Sequence, residues 1–323
     1  MKSLAPPVKS QLLRAELQEC EPLCHFRGLD VFALRGDEIP HTMREIARLR
    51  EEAFRSAGAG RGQEIDTDAL DTGVRSYVQL FAFDPEEVEL PAMLRFQYGA
   101  RALTHGDSVL RTASLFEYTA TMRETVLPHC IELGRSVVNQ RACRAQLGLF
   151  AVWRGLATLL NQDPSLRFFF GNVSLFPDYK PEARDRLLAW CETFYAGKEP
   201  LLCAREGLRY DPPLQARQWA EEQLMSWPSA LDGSKQTRKR VKFIQQELQR
   251  VGESLPTMLQ SYLNLGQGVL LGETVRDMDF GGALEIGLVV PLAAIERPTR
   301  LLFGIARDDI PAPDAGVGES PRR

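Results

Sequence analysis

Apolar residues in this chain recur with two different periods, and stretches of the two kinds alternate. Alternation or β-branched and aromatic content marks CHFRGLDVFALR (24–35), RSYVQLFAFD (75–84), LPAMLRFQYG (90–99), HCIELGRSVV (129–138) and SLRFFFGNVSLF (165–176) as strands. The acidic turn Pro85-Glu86-Glu87 joins the second and third as a hairpin. After Pro40 and Thr42, helical spacing puts Met43, Ile46, Leu49 and Phe54 near one face. RACRAQLGLFAVWRGLATLL (141–160) is the strongest helical pattern, with Leu149, Val152, Trp153, Leu156 and Leu160 in its stripe. PEARDRLLAWCETFYAG (181–197) is an amphipathic helix closed by Gly197. ALEIGLVVPL (283–292) is a last buried strand. This order of elements predicts a mixed α/β fold.

The same pass divides the chain. Residues 1–20 are a polar leader with a short helix after Pro6 and Pro7, and 21–197 hold the core. SAGAGRGQ (56–63) is a flexible loop of small residues. Residues 198–254 change character: LQARQWAEEQLMSW and SKQTRKRVKFIQQELQRVG are polar, charge-rich helices, read as an insertion or lid. Residues 255–308 return to the core pattern, with LPTMLQSYLNLG helical, and 309–323 form a tail disordered by composition.

Charge and composition narrow the function classes. The 323 residues carry a net charge of -4, with 44% hydrophobic and 25% charged residues, which fits a soluble globular protein and gives no reason to expect nucleic acid. The start lacks an apolar signal core, and no run approaches the ~18 apolar residues of a membrane span. GLVVPLAAI (287–295), the longest such stretch, is cut by Pro291. A cytoplasmic protein is expected, at most lying on the inner membrane surface. The six cysteines include no C-x-x-C pair, and Cys20-x-x-x-Cys24-His25 lacks the other half of a tetrahedral set. No metal is expected, and the thiols are read as reduced.

Chemistry concentrates in ELGRSVV (132–138), where a carboxylate and a guanidinium sit three residues apart in a strand. In a regular strand Glu132 and Arg135 face opposite ways. A bulge at Gly134 brings both to one side and splays the neighbouring strand. The helix that follows begins with Arg141 and Arg144, one turn apart, which suits a phosphate. A carboxylate, an open strand edge and an anion site in a row suit acyl transfer from a phosphopantetheine thioester. The alternative reading is an ordinary strand with a surface ion pair.

These blocks resemble the acyl-carrier-protein-dependent N-acyltransferases of the ornithine-lipid and glycine-lipid type. That group is a haemolysin-like branch of the GNAT acyltransferases, related to the acyl-homoserine-lactone synthases. Arg50 and Phe54 fit an Arg-x-x-x-Phe helix, and Glu64 and Asp66 an acidic Glu-x-Asp loop. Arg95 fits the arginine ending the hairpin, and Phe116-Glu117-Tyr118 a motif before the central strand. ELGRSVV with Arg141, Arg144 and Trp153-Arg154-Gly155 fits the central block; FFFGNVSLFPDY, LPTMLQSYLNLGQGV and RDMDFGGALEIGLVV fit the later ones. Ala69 stands where the lactone synthases carry a second Asp, with Asp68 and Asp71 flanking it, and Ala92 replaces a glycine of the hairpin. The resemblance implies a GNAT-like mixed twisted sheet with a bulged, splayed central strand, flanking helices and a helical insertion.

It also implies amide formation from a fatty acyl carrier protein, with a 3-hydroxylated acyl group, onto a small amino acid such as ornithine or glycine, the first step of aminolipid synthesis. Glu132 would be base or amine-orienting group. Arg135 and Arg95 would hold the acceptor carboxylate or the acidic loop formed with Arg50, Glu64, Asp66 and Glu117. Arg141, Arg144 and Ser136 would meet phosphopantetheine. Coenzyme-A-using relatives cradle pyrophosphate with a glycine-containing loop, but Arg141-Ala-Cys-Arg-Ala-Gln146 has no glycine, which favours acyl carrier protein as donor. That acidic partner, or anionic lipid, suits the basic run Lys235, Arg238, Lys239, Arg240 and Lys242, whose plainer reading is a solvated helix face. No permanently bound cofactor is expected.

Three other readings compete. His25-Phe-Arg-Gly-Leu-Asp30 has the His-x4-Asp spacing of glycerolipid O-acyltransferases, although their Phe-Pro-Glu-Gly companion is absent. Cys130 or Cys143 would serve a covalent route. A GNAT-like module that binds acyl carrier protein or membrane without turnover is the non-enzyme alternative. Phe168, Phe169 and Phe170 are read first as core, because at most one or two of them can face an acyl tunnel.

Overall fold

The structure, a computed structural model, describes residues 1–228, 233–266, 268–307, 310, 311 and 317, and at 233–235 the backbone alone. Ten strands appear among these residues: β1 (Cys24–Phe26), β2 (Leu29–Arg35), β3 (Val78–Asp84), β4 (Glu89–Tyr98), β5 (Phe116–Tyr118), β6 (Cys130–Val138), β7 (Phe168–Leu175), β8 (Leu202–Ala204), β9 (Leu270–Asp277) and β10 (Ala283–Pro291). The main helices are α1 (Ser10–Gln18), α2 (Pro40–Ser56), α3 (Ala100–His105), α4 (Ala145–Gln162), α5 (Pro181–Tyr195), α6 (Leu214–Met225), α7 (Gly233–Arg250), α8 (Thr257–Leu263) and α9 (Arg297–Phe303). Eight strands form one sheet in the order β1-β2-β3-β4-β6-β7-β10-β9, and β5 pairs with β8 apart from it. Every pairing in the large sheet is antiparallel except β6 with β7.

Alternating side chains give the sheet two apolar faces. Val31, Leu80, Ala82, Leu94, Phe96 and Leu133 pack under α4 and α5, while Phe32, Phe81, Phe83 and Met93 pack under α1 and α2. Helix α4 lies close to the sheet because small residues face it. A Cβ on Gly148 would stand 2.4 Å from Pro91 Cβ, and one on Gly155 2.7 Å from Val31 Cγ1. That is closer than any side chain fits without moving its neighbours.

Two irregularities at the middle of the sheet set up the site. Along β4 and β6 the register runs Met93↔Val137 and then Arg95↔Gly134, so β6 carries one extra residue opposite Leu94. The bulge falls at Arg135–Ser136, and Arg135 takes a left-handed φ of 52°. It lies one residue beyond Gly134, whose φ is not left-handed. The second irregularity is a split. Strands β6 and β7 pair only over Cys130–Leu133 and Phe168–Gly171, then diverge as β6 runs on to Val138 and β7 to Leu175. Gly171 permits the last close approach, since a Cβ there would stand 2.5 Å from the Leu133 carbonyl oxygen.

Several sequence expectations need correction. CHFRGLDVFALR is two strands, because Arg27 (φ 50°) and Gly28 (φ 83°) make a tight turn between them. Helix α4 starts at Ala145, so Arg141 and Arg144 precede it and do not share a helix face. Gly197 does not cap α5, whose terminal Ala196 is extended. The stretch 198–254 contains the short β8, which docks on β5, as well as helices. Strand β9 is not evident in the residue pattern, because Gly272 and Glu273 interrupt its apolar run; pairing with β10 defines it. The tail at 309–323 lies outside the described residues, apart from 310, 311 and 317.

Replacing Gly171 by Ala forces β6 and β7 apart at their last pair. The expected cost is about 1–3 kcal/mol of overpacking, read as a lower urea midpoint with an unchanged slope.

Candidate active site

A cavity of about 470 Å³ occupies the gap between β6 and β7. Leu133, Gly134, Arg135 and Ser136 line one side, and Asn172 to Phe176 the other. Because side chains alternate, the cavity has a different lining on each face of the sheet. Towards α2 it is polar, with Glu132, Arg95, Arg111, Asn172, Ser174 and Glu285. Towards α4 and α5 it is apolar: Leu133, Val173 and Leu175 continue into the main core with Leu255 and Tyr262.

Glu132 stands at the root of the split, 1% exposed. Oε1 accepts the Thr112 amide at 2.7 Å, and Oε2 accepts the Arg111 amide at 3.1 Å and the Tyr77 hydroxyl. Tyr77 is fully buried, and its oxygen also receives the Arg111 amide at 2.7 Å. Burial pushes the Glu132 carboxyl up, and these donors hold the rise back. No cation pairs with Glu132 among the described residues, so proton affinity here is set by desolvation and neutral donors.

The bulge brings Arg135 to the same cavity, where Phe54 and Phe280 flank its guanidinium at 5.6 and 5.1 Å from the ring centres. Its Nε stands 3.1 Å from Asp66 Oδ2, and a terminal nitrogen 3.4 Å from Asp68 Oδ2. Arg95 grips both oxygens of Asp68 at 2.8 and 2.7 Å and reaches Asp71 Oδ1 at 2.9 Å. Arg50, wholly buried, donates to Asp71 Oδ1 at 2.8 Å and to Gln79 Oε1 at 2.5 Å. Arg95 and Arg135 are thus both in contact with the acidic loop, and both also line the cavity. Burial works against ionised Asp71 and Asp68, but Arg50 and Arg95 hold the first below the usual carboxylate range, and Arg95 holds the second well below it. Their stabilising contribution is present above the unfolded pKa of ~4 and is lost only as pH falls through the lower folded values. Asp66 is pushed up by burial, against the pull of Arg135.

Other expected residues fall elsewhere. Ser136 lines the cavity, but Glu64 is exposed beside a separate shallow depression, and Glu117 points to solvent between the buried Phe116 and Tyr118. In the acidic loop the arginines hold Asp68 and Asp71, which flank Ala69, rather than Glu64. Arg141, with its side chain 81% exposed, pairs with Glu52 at 2.6 Å. Arg144 reaches Asp84 at 3.6 Å and Glu86 at 3.4 Å, and neither arginine lines the cavity. The basic run is not one face. Arg238, Lys239 and Lys242 are exposed, Arg240 turns inward over the Phe194 ring, and the Lys235 side chain lies outside the described residues.

The residues of the competing chemistries do not line this cavity. His25 Nδ1 meets Asp30 at 2.7 Å on the exposed β1–β2 hairpin, with the imidazole 73% exposed. Cys130 is buried, which pushes its thiol well up, and Cys143 is exposed; neither lines the cavity. All three of Phe168, Phe169 and Phe170 are core residues on alternate faces. Among the described residues no group of His, Cys, Asp or Glu is placed to hold a metal ion, and no helix is long and apolar enough to cross a membrane.

The cavity also contains Tyr77, Arg111 and Glu285, which the sequence pattern does not single out. Glu285 did carry a signal, a lone carboxylate within the apolar run ALEIGLVV, the same oddity that singled out Glu132. Tyr77 sits in the alternating stretch 75–84, where a tyrosine is an ordinary strand residue, and Arg111 lies in a segment without periodicity; only the fold brings them to the cavity.

Comparison with known proteins bears on the chemistry. A family profile described as an acetyltransferase (GNAT) domain matches residues 49–154, a span from α2 into α4 that includes Glu132 and the bulge. Two relatives extend along nearly all of the chain, and both are glycine N(alpha)-acyltransferases. The one from Phocaeicola vulgatus is 27% identical over 311 residues, 93% of this chain and 92% of its own. The one from Bacteroides thetaiotaomicron is 29% identical over 311 residues, 93% of this chain and 89% of its own. The chain is an N-acyltransferase on a GNAT fold. Two solved structures of a CoA-dependent acyl-homoserine lactone synthase share a weaker likeness with the enzyme. The complex with SAM and isopentyl-CoA is 16% identical with a TM-score of 0.30, and the complex with MTA is 15% identical with a TM-score of 0.32. Each covers 64% of the enzyme and 93% of the synthase chain.

Replacing Asp71 by Asn leaves Arg50 and Arg95 buried with less charge to oppose theirs. A loss of about 3–5 kcal/mol is expected in urea unfolding, the cost of breaking a buried pair from one side.

Proposed function

We propose that the enzyme moves a fatty acyl group, 3-hydroxylated as a rule, from the phosphopantetheine thioester of acyl carrier protein to the amine of glycine or another small amino acid. The product is an N-acyl amino acid, the first intermediate of an aminolipid. The observation that carries this reading is the two-sided cavity at the split. Its polar end is built for a small charged acceptor and its apolar end for a hydrocarbon chain, so the thioester carbonyl would lie between, beside the diverging edge of β6.

Each end has residues for its task. Arg111 lines the polar end with its guanidinium on Asp277 at 2.5 Å, and its cation is placed to receive the acceptor carboxylate. Glu132 orients the amine. Main-chain N–H groups of the β6 edge polarise the thioester carbonyl, so charge developing on oxygen meets fixed donors. Glycine as acceptor is favoured by the two relatives that bear its name. Carrier protein as donor is favoured by the glycine-free segment 141–146, where Arg141 and Arg144, just before α4, are candidates for its single phosphodiester. The exposed Arg238, Lys239 and Lys242 suit an acidic carrier protein, or anionic lipid at the inner face of the membrane.

Purified enzyme supplied with acyl carrier protein or coenzyme A thioesters and a panel of amino acids tests this by mass spectrometry. Amide is expected with glycine or another small amino acid, at a higher rate from acyl carrier protein. Glu132→Gln is expected to lower kcat by roughly 10²-fold, the scale of a misoriented nucleophile. Equal rates from coenzyme A would remove the donor assignment. No amide from any amine would favour a module that binds without turnover.

A further inference from the structure

The cavity contains a second buried carboxylate besides Glu132. Glu285, on β10, is 1% exposed and lies opposite Ser174 of β7, on the polar side of the split. In register it stands three residues past Gly171, where β7 last touches β6, so it borders the open part of the gap. Its hydrogen bonds are uneven. Oε2 accepts the Asn172 amide at 2.5 Å and the Ser174 hydroxyl at 2.9 Å, while Oε1 shares that one hydroxyl at 2.8 Å. A hydroxyl has a single proton, so Oε1 keeps acceptor capacity. Glu132, by contrast, accepts from three donors, the Thr112 amide at Oε1 and the Tyr77 hydroxyl and Arg111 amide at Oε2, against two donors for Glu285.

We propose that Glu285 is the catalytic base of the enzyme, accepting the proton of the acceptor's ammonium at Oε1, while Glu132 orients the nitrogen. The proposal rests on the reading of this cavity as an amide-forming site. The acceptor arrives as an ammonium. Oε1 takes one proton, and the freed lone pair attacks the thioester carbonyl carbon. A C–N bond forms, the tetrahedral intermediate collapses and the C–S bond breaks. The second nitrogen proton passes to the departing sulfur, giving a free thiol, and Glu285 returns its proton to solvent.

The surroundings of Glu285 fit that cycle. No cation is within ion-pair distance of it among the described residues. Burial pushes its carboxyl up to about 7, and Asp277 adds to the rise, while Asn172, Ser174 and Arg111 hold it back. Further round the cavity the charged groups are Arg95 of β4, Glu132 and Arg135 of β6, Asp178 after β7 and Glu253 after α7. The titratable hydroxyls are Tyr77, Tyr179 and Tyr262. A carboxylate poised near 7 is ionised often enough to accept a proton and protonated readily enough to hold it.

The test is the pH dependence of kcat/KM for amide formation. A base must be ionised, so activity is expected to fall as pH drops through about 7. Glu285→Gln is expected to lose about 100-fold or more at pH 8, mainly in kcat, and to lose that acidic limb. Glu132→Gln is expected to lose rate but keep the limb. Glu285→Gln within about threefold of the unsubstituted enzyme, or slowed with the limb intact, overturns the role of base. If Glu285→Gln does not fold, Asn172→Asp is the second probe, since a new negative charge beside Oε2 is expected to move the limb upward. An unmoved limb overturns the proposal. Failure of the underlying reading is distinct, because the unsubstituted enzyme would then form no amide from any amine, and the base role would fall with it.

Discussion

The short contact between β6 and β7 is the constraint on which the rest depends. Four residues of each strand pair in parallel, and then the two part. In an ordinary sheet these strands would bond along their length and leave no room between them. The parting is maintained from both sides. On β6 an extra residue at Arg135–Ser136 breaks the register with β4, and bulges bend a strand and raise its twist. On the other side β7 stays bonded to β10 over eight residue pairs, from Leu284↔Leu175 to Pro291↔Phe168. One strand bends and the other is held, so a gap opens without unravelling the sheet.

A gap in a sheet core needs polar support, and the acidic loop provides it. Asp66, Asp68 and Asp71 face Arg135, Arg95 and Arg50 on the α2 side. Buried charges are costly to desolvate, and such a cluster is weak ground for stability in itself. Its value here is positional. It ties the bulged residue of β6, the centre of β4 and helix α2 to one loop, which fixes the α2-facing wall of the cavity. Glu132 and Glu285 are the exceptions. Among the described residues neither has a cation within ion-pair distance, and both are buried and face the gap. Burial raises the pKa of each.

Much of the fold was legible in the chain because local physics produces it. Hairpin β3–β4, strand β6 and helices α2, α4 and α5 follow from alternation, 3.6-residue spacing and turn residues. Errors arose where local signals were weak or shared. The β1–β2 turn uses Arg27 at positive φ, which composition does not announce. Strand β9 reads as mixed because its polar residues are satisfied by neighbours distant in sequence, as when Glu273 accepts the Ala204 amide. Arg141 and Arg144 had helical spacing but precede the helix, since element boundaries depend on capping geometry that the residue pattern only suggests.

For the site the division is sharper. The sequence alone identified Glu132 and Arg135 as out of place in a strand, and required some irregularity if both were to serve one cavity. That follows from a period of two, a purely local property. Which residues surround them was decided only by tertiary structure. Tyr77, Arg111 and Glu285 reach the cavity from segments as much as 208 residues apart, through the pairing of β3, β4, β7 and β10 and the loop before β5. Partnership across such distances depends on strand register, and register is settled by burial over the whole sheet rather than by any one segment.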